Sequence, residues 1–187
     1  ADAADVEAVA ADYSFVADAK AFRLSRTAKN QKDFKVEAMH GWKRGKPFAI
    51  VVCPIYQLPN RTSQIYQQAI SRTVCILTYS HLAVLVCLVD TVSKSAAEGV
   101  LLNTLRATET LNPDKNAEFY WQRINETMLQ SHAAVPQLWQ NEKIANLESI
   151  VAAKQEALSA LAQEHERILR MTHDQAIQAL IKNNNLE

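Results

Sequence analysis

The sequence predicts an α/β (α+β) protein, with a mixed sheet core and flanking helices followed by a helical C-terminal half. Three observations carry that expectation. Residues 48–53 (FAIVVC) and 73–78 (TVCILT) are continuous apolar runs, the pattern of strands buried on both faces, with a helix-like segment between them. Residues 14–22 alternate, with Val16, Asp18, Lys20 and Phe22 on one face and Phe15, Ala17 and Ala19 on the other. From Val92 onward only Gly99, Pro113 and Pro136 break a helical pattern.

Taken in order, residues 5–10 and 14–22 form two short strands around Ala11-Asp12-Tyr13. A tight hairpin centred on Ala11-Asp12 places Asp5 opposite Asp18, with both side chains on one face about 5 Å apart. A polar stretch, 23–32, leads to a helix over Asp33–Lys43 that ends near Gly45-Lys46-Pro47. The strand at 48–53 is closed by Pro54. Next come a turn at Pro59-Asn60 and a helix over Thr62–Arg72, with Ile65, Tyr66 and Ala69 inward. The strand at 73–78 and a buried helix at 81–89 complete a strand–helix–strand–helix series, which implies a parallel pair in a mixed sheet.

In the helical half, Asn112-Pro113 reads as an N-cap with Pro at the first helical position, opening a helix over 113–131. After Pro136 a helix runs to about Met171, and Ile144, Leu147, Val151, Leu158, Leu161 and Ile168 recur on it as a coiled-coil-like seam. Thr172-x-x-Gln175 is a capping box for a last helix through about Lys182. Phe119, Tyr120, Trp121 and Trp139 are expected in a core or interface. The organisation expected is a core over residues 1–91 and a helical region over 92–187, packed on that core or on a partner subunit.

The 187 residues carry 20 basic and 20 acidic side chains, so the net charge is zero, but the charges are not evenly spread. Residues 1–19 hold five acids and no base, while residues 20–46 hold nine bases against two acids. An acidic cluster running into a basic block suits a site that holds metal cations beside a polyanion. Cys53, Cys75 and Cys87 lack C-x-x-C spacing and sit among aliphatic residues, so they read as reduced, buried side chains of a cytoplasmic protein. No apolar run is long enough for a membrane span, and no membrane partner is expected. The five histidines show no metal-ligand spacing and are expected as surface or capping residues. The absence of Gly-rich phosphate loops and of a G-x-S-x-G turn argues against nucleotide-dependent and serine-hydrolase chemistry.

Asp18-Ala19-Lys20 on a strand puts a carboxylate and an ammonium on the same side, and Asp5 adds a second carboxylate across the hairpin. Two carboxylates that bind Mg²⁺, with a lysine beside them, are what phosphodiester hydrolysis requires. Glu7, along the same face as Asp5, is a further candidate ligand, and Asp2 is a rival for the first acid. The segment that follows is rich in groups suited to phosphates and base edges: Arg23, Ser25, Arg26, Thr27, Lys29, Asn30, Gln31 and Lys32.

Val16-Ala17-Asp18-Ala19-Lys20 and the run from Phe22 to Val36 resemble the HindIII-type type II restriction endonucleases nearly residue for residue. Weaker likeness continues through Ser63-Gln64-Ile65, Ser80-His81-Leu82-Ala83 and Gln175 to Leu180. The resemblance implies a fold of the Pro-Asp…(Asp/Glu)-x-Lys nuclease superfamily, Mg²⁺-dependent cleavage of double-stranded DNA at an AAGCTT-like palindrome, and a homodimer. It implies Asp5, Asp18 and Lys20 as catalytic residues, with Asp5, Asp18 and the Ala19 carbonyl on metal. Ala4 stands where the superfamily has proline. The family's helical segment ahead of the first aspartate has no counterpart in this sequence. Two alternatives follow: an inactive truncated remnant that binds DNA or oligomerises, and a repair or recombination nuclease on the same fold.

Overall fold

The computed structural model describes residues 3–20, 34–114 and 116–183. The chain divides into two compact units, residues 1–142 and 143–187. The first unit is built on a four-stranded sheet of β1 (Val6–Val9), β2 (Ser14–Ala19), β3 (Phe48–Cys53) and β4 (Val74–Thr78), in the spatial order β1-β2-β3-β4. β1 and β2 form an antiparallel hairpin, and β2, β3 and β4 run parallel. The mixed α/β architecture is thus the one the sequence predicts.

All six residues of β3 and all five of β4 are buried, as continuous apolar runs require. Burying each large aliphatic among them contributes about 1.5–3 kcal/mol relative to exposure. Helix α1 (Val36–Trp42) packs across β2, β3 and β4 with Val36 and Met39 inside, and Gly45, at φ 90, turns the chain into β3. Helix α2 (Gln64–Ser71) starts where the Ser63 hydroxyl accepts the Ile65 N–H at 3.3 Å, and it buries Ile65, Tyr66, Ala69 and Ile70. Helices α3 (Tyr79–Thr91), α4 (Lys94–Ala107) and α5 (Ala117–Gln130) follow in turn. A second cluster, including Val84, Leu88, Val100, Met128 and Val135, joins them to the start of α6 (Val135–Leu169).

Three local expectations are corrected. Helix α3 is not buried all round: Val84, Leu85 and Leu88 face inward, while Val86 and Val89 are exposed, as is Cys87. A helix packed from one side buries only a stripe, however apolar the rest of its surface. Helix α5 opens at Ala117 rather than Pro113, because Asn116 is the N-cap and its side chain accepts the Glu118 N–H at 2.9 Å. Both asparagines suit a cap, and sequence alone does not rank them.

Midway along the outer edge of β4, one side chain satisfies the backbone of Ile76. The Ile76 N–H donates to the Tyr120 hydroxyl at 2.6 Å, and that hydroxyl donates to the Ile76 carbonyl at 3.0 Å. Two buried backbone groups that β3 does not pair are thereby satisfied by α5.

His81, in the first turn of α3, has a comparable role. Its Nδ1 accepts the Thr78 N–H at 3.1 Å, which leaves the proton on Nε2 to donate to Asn125 Oδ1 at 3.0 Å. The ring completes the helix cap and ties α3 to α5. Burial pushes its pKa down to about 4. The unfolded chain, at about 6.5, binds this proton more readily, so the contribution of His81 is complete above about pH 6.5 and is lost as pH falls toward 4. Thermal melts should therefore show a loss approaching about 3 kcal/mol across that window. His81→Gln should remove that component of the pH dependence; an unchanged acid limb would exclude His81 as its source.

The second unit contains the rest of α6 and helix α7 (His173–Asn183). The capping box forms as expected: Gln175 Oε1 accepts the Thr172 N–H at 3.0 Å, and the Thr172 hydroxyl accepts the Gln175 N–H at 3.4 Å. Among the described residues, no helix is long and apolar enough to cross a membrane.

Candidate active site at the end of the β1–β2 hairpin

The hairpin register pairs Val6 with Ala17, Glu7 with Val16, Ala8 with Phe15 and Val9 with Ser14. One further step brings Asp5 opposite Asp18, as the turn at Ala11-Asp12 predicts. Side chains on one face repeat every second residue, so Asp5, Glu7, Val16, Asp18 and Lys20 share a face. On that face Asp18 continues a row with Val51 of β3 and Ile76 of β4, both buried. A carboxylate set in an aliphatic row carries a large desolvation cost unless it is paired.

Its partner is Lys20. The ammonium meets Asp18 Oδ2 directly, and the two side chains are only 11% and 5% exposed. Among the described residues, Oδ2 is buried and receives no well-directed hydrogen bond. Lys20 is fixed from the backbone as well, since its N–H continues the β2–β3 ladder by donating to the Val52 carbonyl at 2.7 Å.

Asp5 ends the outer strand, and its Oδ2 accepts the Ala19 N–H at 3.0 Å. The N–H and C=O of a strand residue point to the same side, so the Ala19 carbonyl is also turned toward Asp5. Carboxylate oxygens of Asp5 and Asp18 and the carbonyl of Ala19 are thus supplied by two adjacent strand ends. Such an all-oxygen donor set matches the preference of a hard divalent cation. No group of three His, Cys, Asp or Glu side chains suited to a metal occurs among the described residues. A cation here would complete its shell with water or substrate phosphate, as Mg²⁺ commonly does.

Glu7 is engaged elsewhere. It accepts from Lys46 Nζ at 2.8 Å, and this hydrogen bond and charge hold its carboxyl below the usual range. In the sequence Lys46 is simply a member of the basic block; a contact between residues 39 apart leaves no local signal. Asp2 and the DNA-contact candidates Arg23, Ser25, Arg26, Thr27, Lys29, Asn30, Gln31 and Lys32 lie outside the described residues.

Comparison with known proteins bears on the same site. A family model described as HindIII restriction endonuclease matches residues 1–187. The type II restriction enzyme HindIII of Haemophilus influenzae (strain ATCC 51907 / DSM 11121 / KW20 / Rd) is 46% identical over 86 residues, covering 45% of this chain and 29% of that enzyme. The aligned segment thus spans less than a third of that relative's length.

Proposed function

Since the chain belongs to the HindIII restriction endonuclease family, we propose that it serves as a type II site-specific deoxyribonuclease, hydrolysing phosphodiester bonds of double-stranded DNA with Mg²⁺. The observation that carries the proposal is the meeting of Asp5, Asp18, the Ala19 backbone and Lys20 at one end of the hairpin. Asp5, Asp18 and the Ala19 carbonyl would hold the cation. When bound, it would polarise a phosphoryl oxygen and raise the acidity of a coordinated water.

The protein's own groups then have distinct tasks. Asp18, locked in the apolar row, fixes the position of the anionic pole. Lys20 Nζ, held against it, lies where it can donate to a scissile phosphate oxygen and offset the charge that grows as water oxygen attacks phosphorus. Asp5 closes the site from the outer strand. The segment from Arg23 to Lys32 supplies phosphate and base contacts on an AAGCTT-like palindrome, and a two-fold site calls for two copies of the chain. Residues 1–91 carry the chemistry, and residues 92–187 buttress it or meet the partner subunit. The free cysteines suit the reducing cytoplasm of a cell that restricts foreign DNA.

Plasmid DNA incubated with the protein and Mg²⁺ should give discrete fragments, and EDTA should stop cleavage with recovery on adding Mg²⁺ back. Discrete cleavage that persists in EDTA would exclude the metal, and intact plasmid in Mg²⁺ would exclude the nuclease.

A further inference from the structure

Among the described residues, helix α6 carries an apolar stripe that stays largely exposed. Ile144, Leu147, Val151, Leu158, Leu161 and Ile168 are 47–67% exposed. Their spacing of three and four residues, with Lys154 and His165 filling the two remaining positions, is an unbroken heptad seam from 144 to 168. Helical rise makes it about 37 Å long. Together with Ile150, these side chains offer on the order of 700–800 Å² of apolar surface per copy, against about 800 Å² per partner in a standard stable interface.

We infer that this seam is a self-association surface on which α6 pairs antiparallel with α6 of a second copy of the chain. The polar interruptions select the direction. In a parallel pair, Lys154 would face Lys154 and His165 would face His165 at the centre of the contact, setting ammonium against ammonium. Reversing one helix about a two-fold axis near Glu156 sets Ile144 on Ile168 of the other copy and Val151 on Leu161. Lys154 then lies against Leu158 and His165 against Leu147, so both polar residues cover leucine with their apolar portions and send their polar ends to solvent. The seam is complementary to itself, which identifies a second copy rather than an unlike helix as its occupant. Ala157 and Ala162, flanking it, let the helices approach closely.

The pairing follows from α6 itself; its service to a palindromic DNA site rests on the nuclease proposed above. Sedimentation equilibrium of the whole chain, without DNA or metal, should show a concentration-dependent dimer. Replacing Leu158 and Leu161 together by Asp should weaken it at least 100-fold while far-UV circular dichroism shows the first unit still folded. Direction is read by disulfide cross-linking in a Cys87→Ser background, where the other thiols, Cys53 and Cys75, are buried. Ile144→Cys chains mixed with Ile168→Cys chains should link to each other, and neither should link to itself. A wild-type monomer, a double-Asp variant as dimeric as wild type, or self-linking Ile144→Cys would each overturn the inference. A dimer that cuts no DNA would sink the nuclease and leave the pairing standing; a monomer that cuts would do the reverse.

Discussion

Asp18→Asn should lower DNA cleavage at least about a thousandfold, equivalent to roughly 4 kcal/mol of lost transition-state stabilisation. The substitution keeps the size and shape of the side chain in its row beside Val51 and Ile76, so the sheet is retained. It removes the charge that Lys20 is held against and that a cation would be drawn to. Cleavage rates with Mg²⁺ should therefore fall far more than the melting temperature. Asp12→Asn, at the exposed turn of the same hairpin, is the matched control and should cut as wild type does. Equal rates for Asp18→Asn and wild type would show that the chemistry lies elsewhere.

The largest expected effect on stability belongs to Tyr120→Phe. Packing hardly changes, because the ring remains against Tyr66 and Trp121, with centroids 5.4 and 5.1 Å away. The missing oxygen strands two buried backbone groups of Ile76 at the edge of β4. Leaving a buried donor or acceptor unsatisfied costs about 1–3 kcal/mol, so the pair should cost about 2–4 kcal/mol. That corresponds to a fall in melting temperature of about 5–15 °C for a unit of this size. Urea unfolding of the two proteins measures it directly, and a variant within about 0.5 kcal/mol of wild type would refute this role for the hydroxyl.

Much of the sheet is legible because its signals are local. The runs at 48–53 and 73–78 announce strands by composition, and the turn at Ala11-Asp12 sets the register that brings Asp5 to Asp18. The dipeptide spacing from Asp18 to Lys20 needs nothing but strand geometry. Other features depend on which distant element arrives at a given surface. Tyr120 lies 44 residues beyond the peptide it satisfies, and the partner of His81, Asn125, is equally remote. Cys87 faces outward because helix packing covers one side of α3 and not the other. The aliphatic letters around it are the same in either case.

The sheet order has a consequence for how this site fails. Among the described residues, β2 is hydrogen-bonded on both sides, whereas β1 is held on one side only and ends the sheet. Asp18 and Lys20 are therefore anchored in a slow-opening interior, while Asp5 rides on a strand that can fray by itself. Peeling of that outer strand separates the two carboxylates and leaves the three parallel strands intact. Warming or mild denaturant would thus disarm the hairpin end well before global unfolding, and any cation bridging the two strands would act as the rivet that keeps the edge shut.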